Sequence, residues 1–175
     1  MLTRDMKELI PMFNEQGVEY LLVGGYAFGV HAQPRATKDL DLFSRADARN
    51  CDAVFGALCK YDAPLHGLTA KDFRDAKAGL QIGMPPNRID ILQQISGVTF
   101  DEAWKDHVDA MIEGDTPTYV ISRENLIKNK LAAGREQDIL DIKQIQKAAA
   151  YASEQPTQGA RKPILKKKNC KGIER

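Results

Sequence analysis

The chain has 175 residues, 25 of them Lys or Arg and 24 Asp or Glu, for a formal net charge of +1; 43% are apolar and 28% charged. That length suits one domain around one core, and that composition suits a soluble globular protein rather than a fibrous or disordered one. The near-zero charge hides a division, because residues 156–175 carry seven basic residues and one acid while residues 1–155 carry 18 basic and 23 acidic, an acidic body ahead of a basic tail.

The longest uncharged stretch near the start, residues 20–33, is broken by Gly24, Gly25 and Gly29. It falls short of the roughly 20 apolar residues that cross a bilayer. The opening MLTRDMKELI lacks an apolar signal core, so a cytoplasmic protein is expected. Cys51, Cys59 and Cys170 form no CxxC pair and no even set, and His31, His66 and His107 lack ligand spacing. Disulfides and a structural zinc site are therefore not expected.

In chain order, Leu2, Met6, Leu9, Ile10 and Phe13 recur at helical spacing and predict a first helix ended by Gly17. Residues 18–23 (VEYLLV) read as a buried strand halted at Gly24-Gly25, and residues 26–32 as a short helix closed before Pro34. Residues 39–43 (DLDLF) alternate like a half-buried strand. A helix follows over 47–60, then a short one at 69–74. Residues 79–83 (GLQIG) and 88–92 (RIDIL) read as strands around a Pro85-Pro86-Asn87 turn. A short helix at 100–107 holds Trp104, and strands at 108–113 and 116–121 flank a Gly114-Asp115 turn. Ser122 caps a helix over 123–133 that stops at Gly134, and a last helix over 136–152 sets Ile139, Ile142, Ile145 and Ala149 on one face. The chain divides into a domain at 1–152, with its core at 18–121 and C-terminal helices at 123–152, and a basic tail at 153–175 expected to be disordered.

Asp39 and Asp41, two apart on a strand, project side by side while Leu40 and Leu42 turn inward. Paired carboxylates raise the cost of ionising one another, and a hard cation such as Mg²⁺ removes it. The alternative is a solvated polar face. Asp90 stands among apolar neighbours, where a carboxylate needs a partner. Beside the Asp39 strand it would complete a triad for two metal ions; otherwise it pairs with Arg88 or Arg35. Gly24-Gly25, after a strand and before a helical turn, permits close approach of phosphate to backbone amides.

Gly24-Gly25 followed by Arg35-x-Thr37-x-Asp39-Leu40-Asp41 resembles the first motif of nucleotidyltransferases of the DNA polymerase β type, more closely their AbiEii-like branch. Asp90 in PPNRIDIL matches the third Asp of that branch. The run Lys130-Leu-Ala-Ala-Gly-Arg135, with Asp138 and Asp141 downstream, matches its second motif. The resemblance covers about residues 19–146. It implies an α+β two-layer fold, a mixed sheet with flanking helices and a short C-terminal helical extension. It implies that Asp39, Asp41 and Asp90 bind Mg²⁺ or Mn²⁺, two ions in all, with Asp90 also the base. Gly24, Gly25 and Lys130 would contact the NTP, Lys130 otherwise being a snorkelling lysine. Arg35 and Thr37 either position phosphate or order the loop. Asp138 and Asp141 are expected to brace Lys130 or Arg135, or to cap the last helix.

The implied enzyme moves a nucleoside monophosphate from an NTP to an acceptor hydroxyl of a tRNA, a protein or a small molecule, releasing pyrophosphate. The competing reading is a non-catalytic partner-binding half of a toxin–antitoxin pair. A basic tail would matter for an RNA acceptor.

Overall fold

The computed structural model describes residues 4–75, 79–84, 88–112 and 116–154. The Pro85-Pro86-Asn87 and Gly114-Asp115 turns and residues 155–175 of the basic tail lie outside the described residues. Helices α1 (Arg4–Glu15), α2 (Gly24–His31), α3 (Ala48–Lys60), α4 (Ala70–Asp75), α5 (Phe100–Lys105), α6 (Arg123–Ala133) and α7 (Glu136–Glu154) surround strands β1 (Tyr20–Leu22), β2 (Asp39–Ser44), β3 (Leu80–Ile82), β4 (Arg88–Leu92), β5 (Val108–Ile112) and β6 (Thr116–Val120). The strands form one mixed six-stranded sheet in the order β3-β4-β2-β1-β6-β5. The α+β architecture follows the sequence reading in element order, with strand β1 shorter than VEYLLV and helix α2 beginning two residues early, at Gly24.

Local chemistry sets the boundaries. Asp47 accepts a hydrogen bond from the Asn50 amide and starts α3, while Ser122 Oγ accepts from the Asn125 amide and starts α6. Gly134, at φ +65°, ends α6 in the left-handed conformation that glycine adopts without strain. Buried Asn50 also ties two strand ends together, accepting from Glu19 N at 2.7 Å and donating to Glu19 O and Arg45 O.

The central trio β1, β2 and β4 positions everything that follows. Strand β2 runs antiparallel to β1 and parallel to β4, with Asp39 opposite Arg88, Leu40 opposite Ile89, Asp41 opposite Asp90 and Leu42 opposite Ile91. Because side chains alternate, Leu40, Leu42, Ile89 and Ile91 share one face, and all four are at most 2% exposed. A one-residue slip would drive carboxylates into that core, so the register is firmly held. Helix α7 departs from its predicted face. Ile142 and Ile145 are buried, but Ile139 is 50% exposed, and Asp138 and Asp141 take its place inside. No helix of the described residues is long and apolar enough to cross a membrane.

Candidate active site

The register that buries the leucines sets Asp39, Asp41 and Asp90 together on the opposite side of β2 and β4. Asp90 is 6% exposed. Burial, reinforced by the charges of Asp90 and Asp39 and opposed by Arg135 and Arg88, pushes the Asp41 carboxyl up to about 6. Burial is the larger cause, and the neighbouring carboxylates add to it.

Arg88 supplies part of that charge. Its Nη2 donates to Asp90 Oδ2 at 2.9 Å and to Asp39 Oδ2 at 3.2 Å. Its Nε lies 2.9 Å from Asp90 Oδ1, but the two are misaligned and neither atom completes a hydrogen bond. The ion pair with Arg88, weighed in the sequence as the alternative to a metal role for Asp90, is thus present. With the guanidinium inserted, no three His, Cys, Asp or Glu groups among the described residues stand in metal-holding geometry. The donor chemistry nonetheless fits a hard divalent cation: three carboxylates share a face, and one buried oxygen is left without a hydrogen bond.

The glycines have a visible steric reason. Gly24 is at φ +63°, and a Cβ there would overlap the Asp41 carboxylate; a Cβ on Gly25 would overlap Thr37 Oγ1. Their bare backbone lets the N-terminus of α2 close onto Asp41, where Val23 N also donates to Asp41 O at 3.0 Å. Gly17 shares the positive φ but has open space around its Cβ position. Gly17→Ala should therefore cost about 1–2 kcal/mol of backbone strain and no more. Gly24→Ala should cost at least as much and also move Asp41, so that the Asp41 titration, followed by NMR, leaves its value near 6 in that variant alone.

A cavity of about 670 Å³ opens over this face, lined by Gly24, Asp41, Gln94, Ser96, Asn129 and Arg135 among others. It shares Gln94 and Ile95 with a neighbouring cavity of about 540 Å³ walled by Phe43, Val98, Phe100, Asp47 and Asp101. Both lie in the size range of small-molecule sites.

Lys130, which the resemblance sets against the NTP, has a side chain 3% exposed, and its Nζ donates to Asp138 Oδ1 at 2.9 Å and Asp141 Oδ2 at 2.7 Å. It does not line the cavity. Two carboxylates three residues apart on α7 close over it, the bracing role expected of Asp138 and Asp141. Arg35 is engaged in the same network, bonded through Nε and Nη2 to Asp141 at 3.0 and 2.9 Å and laid over the Phe28 ring. In this position it orders the loop before β2. Burial pushes the Asp141 carboxyl up, but hydrogen bonds from Arg35, Lys130 and Gln137 prevail and hold it at about 2.

The cation facing the cavity is instead Arg135, 73% exposed at its side chain and bonded to Asp138. Its place in the Lys130–Arg135 motif was the available signal. Gln94, Ser96 and Asn129 carried none, since the cavity's far wall depends on how the loop after β4 meets α6. There Asn129 Nδ2 donates to Ser96 O at 2.9 Å.

A family model described as "Nucleotidyltransferase of unknown function (DUF6036)" matches residues 1–150. No curated protein matches the chain. Among solved structures, the lincosamide antibiotic adenylyltransferase LnuA in its lincomycin-bound crystal structure is similar at 16% identity and a TM-score of 0.53, with 84% of this chain and 98% of that one covered. The antibiotic-resistance factor ANT(2'')-Ia, from a solution structure, is similar at 14% identity and a TM-score of 0.55, with 85% and 90% covered. At such identities the likeness is one of fold.

Proposed function

Because the chain belongs to this nucleotidyltransferase family, we propose that it transfers a nucleoside monophosphate from an NTP to an acceptor hydroxyl, with Asp39, Asp41 and Asp90 as the ligands of Mg²⁺ or Mn²⁺. The observation that carries this reading is the parallel register setting Asp41 beside Asp90, with Asp39 on the same face. When bound, the divalent ions would supply charge stabilisation at the phosphates.

The chain's own groups take the remaining roles. Gly24 and Gly25 present the N-terminus of α2 to the triphosphate, and Arg135 offers an exposed guanidinium to its oxygens. Thr37, packed against Gly25, keeps that turn in place. Asp90, deeply buried, accepts the acceptor hydroxyl's proton as its oxygen bonds to the α-phosphorus. The bond from that phosphorus to the bridging oxygen breaks, and pyrophosphate leaves.

The acceptor is a tRNA, a protein or a small molecule. Beside the site, the neighbouring cavity favours the last of these. Its rim carries Asp47 and Asp101, and the charge of Arg45 is engaged with Glu19 and Asp101 and laid over the Phe100 ring. Such a surface suits a neutral or cationic hydroxyl compound better than a polyanion. Residues 1–152 form the catalytic domain in this reading, active in the cytoplasm, and the AbiEii-like branch is the closer relationship the motifs favour. A non-catalytic half of a toxin–antitoxin pair fits less well, since it has no need of three crowded carboxylates.

The test is incubation of purified protein with each labelled NTP, Mg²⁺ or Mn²⁺, and separate pools of tRNA, protein and hydroxylated small molecules. Label should pass to one pool and fail to do so with Asp39→Ala. Equal labelling by the two proteins would remove the enzymatic reading of this site.

A further inference from the structure

Arg88 opens β4 directly opposite Asp39, and Asp90 follows two residues later on the same face. One nitrogen, Nη2, is shared between Asp39 Oδ2 and Asp90 Oδ2. The arrangement is not a finished ion pair. Arg88 Nε sits 2.9 Å from Asp90 Oδ1, both atoms buried and short of a completed hydrogen bond, so the fork engages Asp90 unevenly while its Nη2 is divided between two carboxylates. Neither carboxylate has the guanidinium to itself, and both keep acceptor sites for a competing cation. The Arg88 side chain itself is 29% exposed, which leaves it a way out of the site.

We propose that Arg88 is a tethered counter-cation that occupies Asp39 and Asp90 until a divalent metal displaces it, and so sets the affinity of the site for metal. This rests on the reading of Asp39, Asp41 and Asp90 as metal ligands. Guanidinium and metal would compete for the same two carboxylates, Asp39 and Asp90, and their like charges would exclude one another from the same few ångströms. With Arg88 in place the three ionised carboxylates keep a charge of about −2, so the face still attracts a divalent cation. An NTP shifts the competition, because its phosphates share the metal's charge and offer the released guanidinium a new anion. Cation and nucleotide therefore load together, and neither alone overcomes Arg88 easily.

Mn²⁺, followed by electron paramagnetic resonance, is the probe. It is titrated into wild type, Arg88→Gln, Arg88→Lys and the double variant Arg88→Gln/Asp41→Asn, each with and without a non-hydrolysable ATP analogue. Thermal unfolding in EDTA reports whether each is folded. Without nucleotide, Arg88→Gln should bind Mn²⁺ at least about tenfold more tightly than wild type, or 1.4 kcal/mol. The analogue should narrow that gap, and the double variant should lose the tight binding. Arg88→Lys, whose point charge cannot bridge both carboxylates as the fork does, should bind more tightly than wild type by a smaller factor. It carries the same test if Arg88→Gln does not fold. Should wild type bind Mn²⁺ while neither variant binds it more tightly, Arg88 is a structural partner and the proposal is overturned, with the metal reading intact. Should no protein bind Mn²⁺ even with the analogue, the metal reading falls and this inference with it.

Discussion

Asp41→Asn should lower nucleotide transfer by about 10³-fold or more and, in metal-free buffer above pH 6, should make the protein more stable rather than less. The loss follows from removing one of three oxygen ligands at the centre of charge stabilisation, where single groups are worth about 10²–10³-fold. The gain follows from the environment of Asp41, whose carboxyl is pushed up to about 6 by burial and by Asp90 and Asp39. A carboxyl that ionises near 3.8 when unfolded and near 6 when folded costs stability as pH rises through that interval, because the unfolded chain gives up its proton first. Well below pH 3.8 both states are protonated and the cost vanishes. At pH 8 without metal it is on the order of 1–3 kcal/mol. Asn keeps the shape and removes the charge, so thermal unfolding at pH 8 in EDTA should occur at a higher temperature for the variant, and the difference should narrow steadily as pH falls to 4. Mg²⁺ with nucleotide should stabilise only the wild type. A variant less stable than wild type at pH 8 in EDTA would mean that Asp41 is a structural anion.

Lys130→Met should be the most destabilising change at a single charged position, by about 3–5 kcal/mol. The side chain is nearly inaccessible and holds Asp138 and Asp141 at 2.9 and 2.7 Å. Its removal leaves two buried carboxylates short of a partner, with only Arg35, Arg135 and Gln137 to share them. For a domain of this size the unfolding temperature should fall by about 6–20 °C. The pH dependence identifies the cause. Asp141 is held at about 2 when folded, so its contribution is present above its ordinary value near 3.8 and is lost as pH falls toward 2. The deficit of Lys130→Met should therefore be full at pH 7 and shrink below pH 4. A lysine that acted only on phosphate would instead lose activity with unfolding unchanged.

These two residues show how much of the molecule could be read from the chain. The Asp39–Asp41 alternation announced its own face, because a strand's period is fixed and Leu40 and Leu42 had only one place to go. Asp90 was legible for the same reason, and its partnership with Asp41 needed only the pairing of β2 with β4. The error lay where helices meet. Ile139, at the right spacing for the core face of α7, is half exposed, while Asp138 and Asp141 are buried. Helical periodicity weighs residues by hydrophobicity, and it misses a stripe whose interior positions are carboxylates neutralised from another element. Lys130 on α6 and Arg35 before β2 provide that neutralisation from 8 and 106 residues away. The same blindness hid Arg135 as the exposed cation at the cavity, and it left Arg88 and Arg35 as equal candidates for Asp90 until the structure set Arg88 there. Each depends on which side chain of a charged motif reaches the site, and sequence order does not decide that.

If Asp39, Asp41 and Asp90 form one cation-dependent nucleotide site, calorimetric titration of each NTP into wild type, with Mg²⁺ and then with EDTA, and into Asp39→Ala with Mg²⁺, will reveal it. At least one NTP should bind wild type with Mg²⁺, and binding should be lost both in EDTA and in the variant. Binding of the same strength under all three conditions, or no binding of any NTP with Mg²⁺, would contradict this reading.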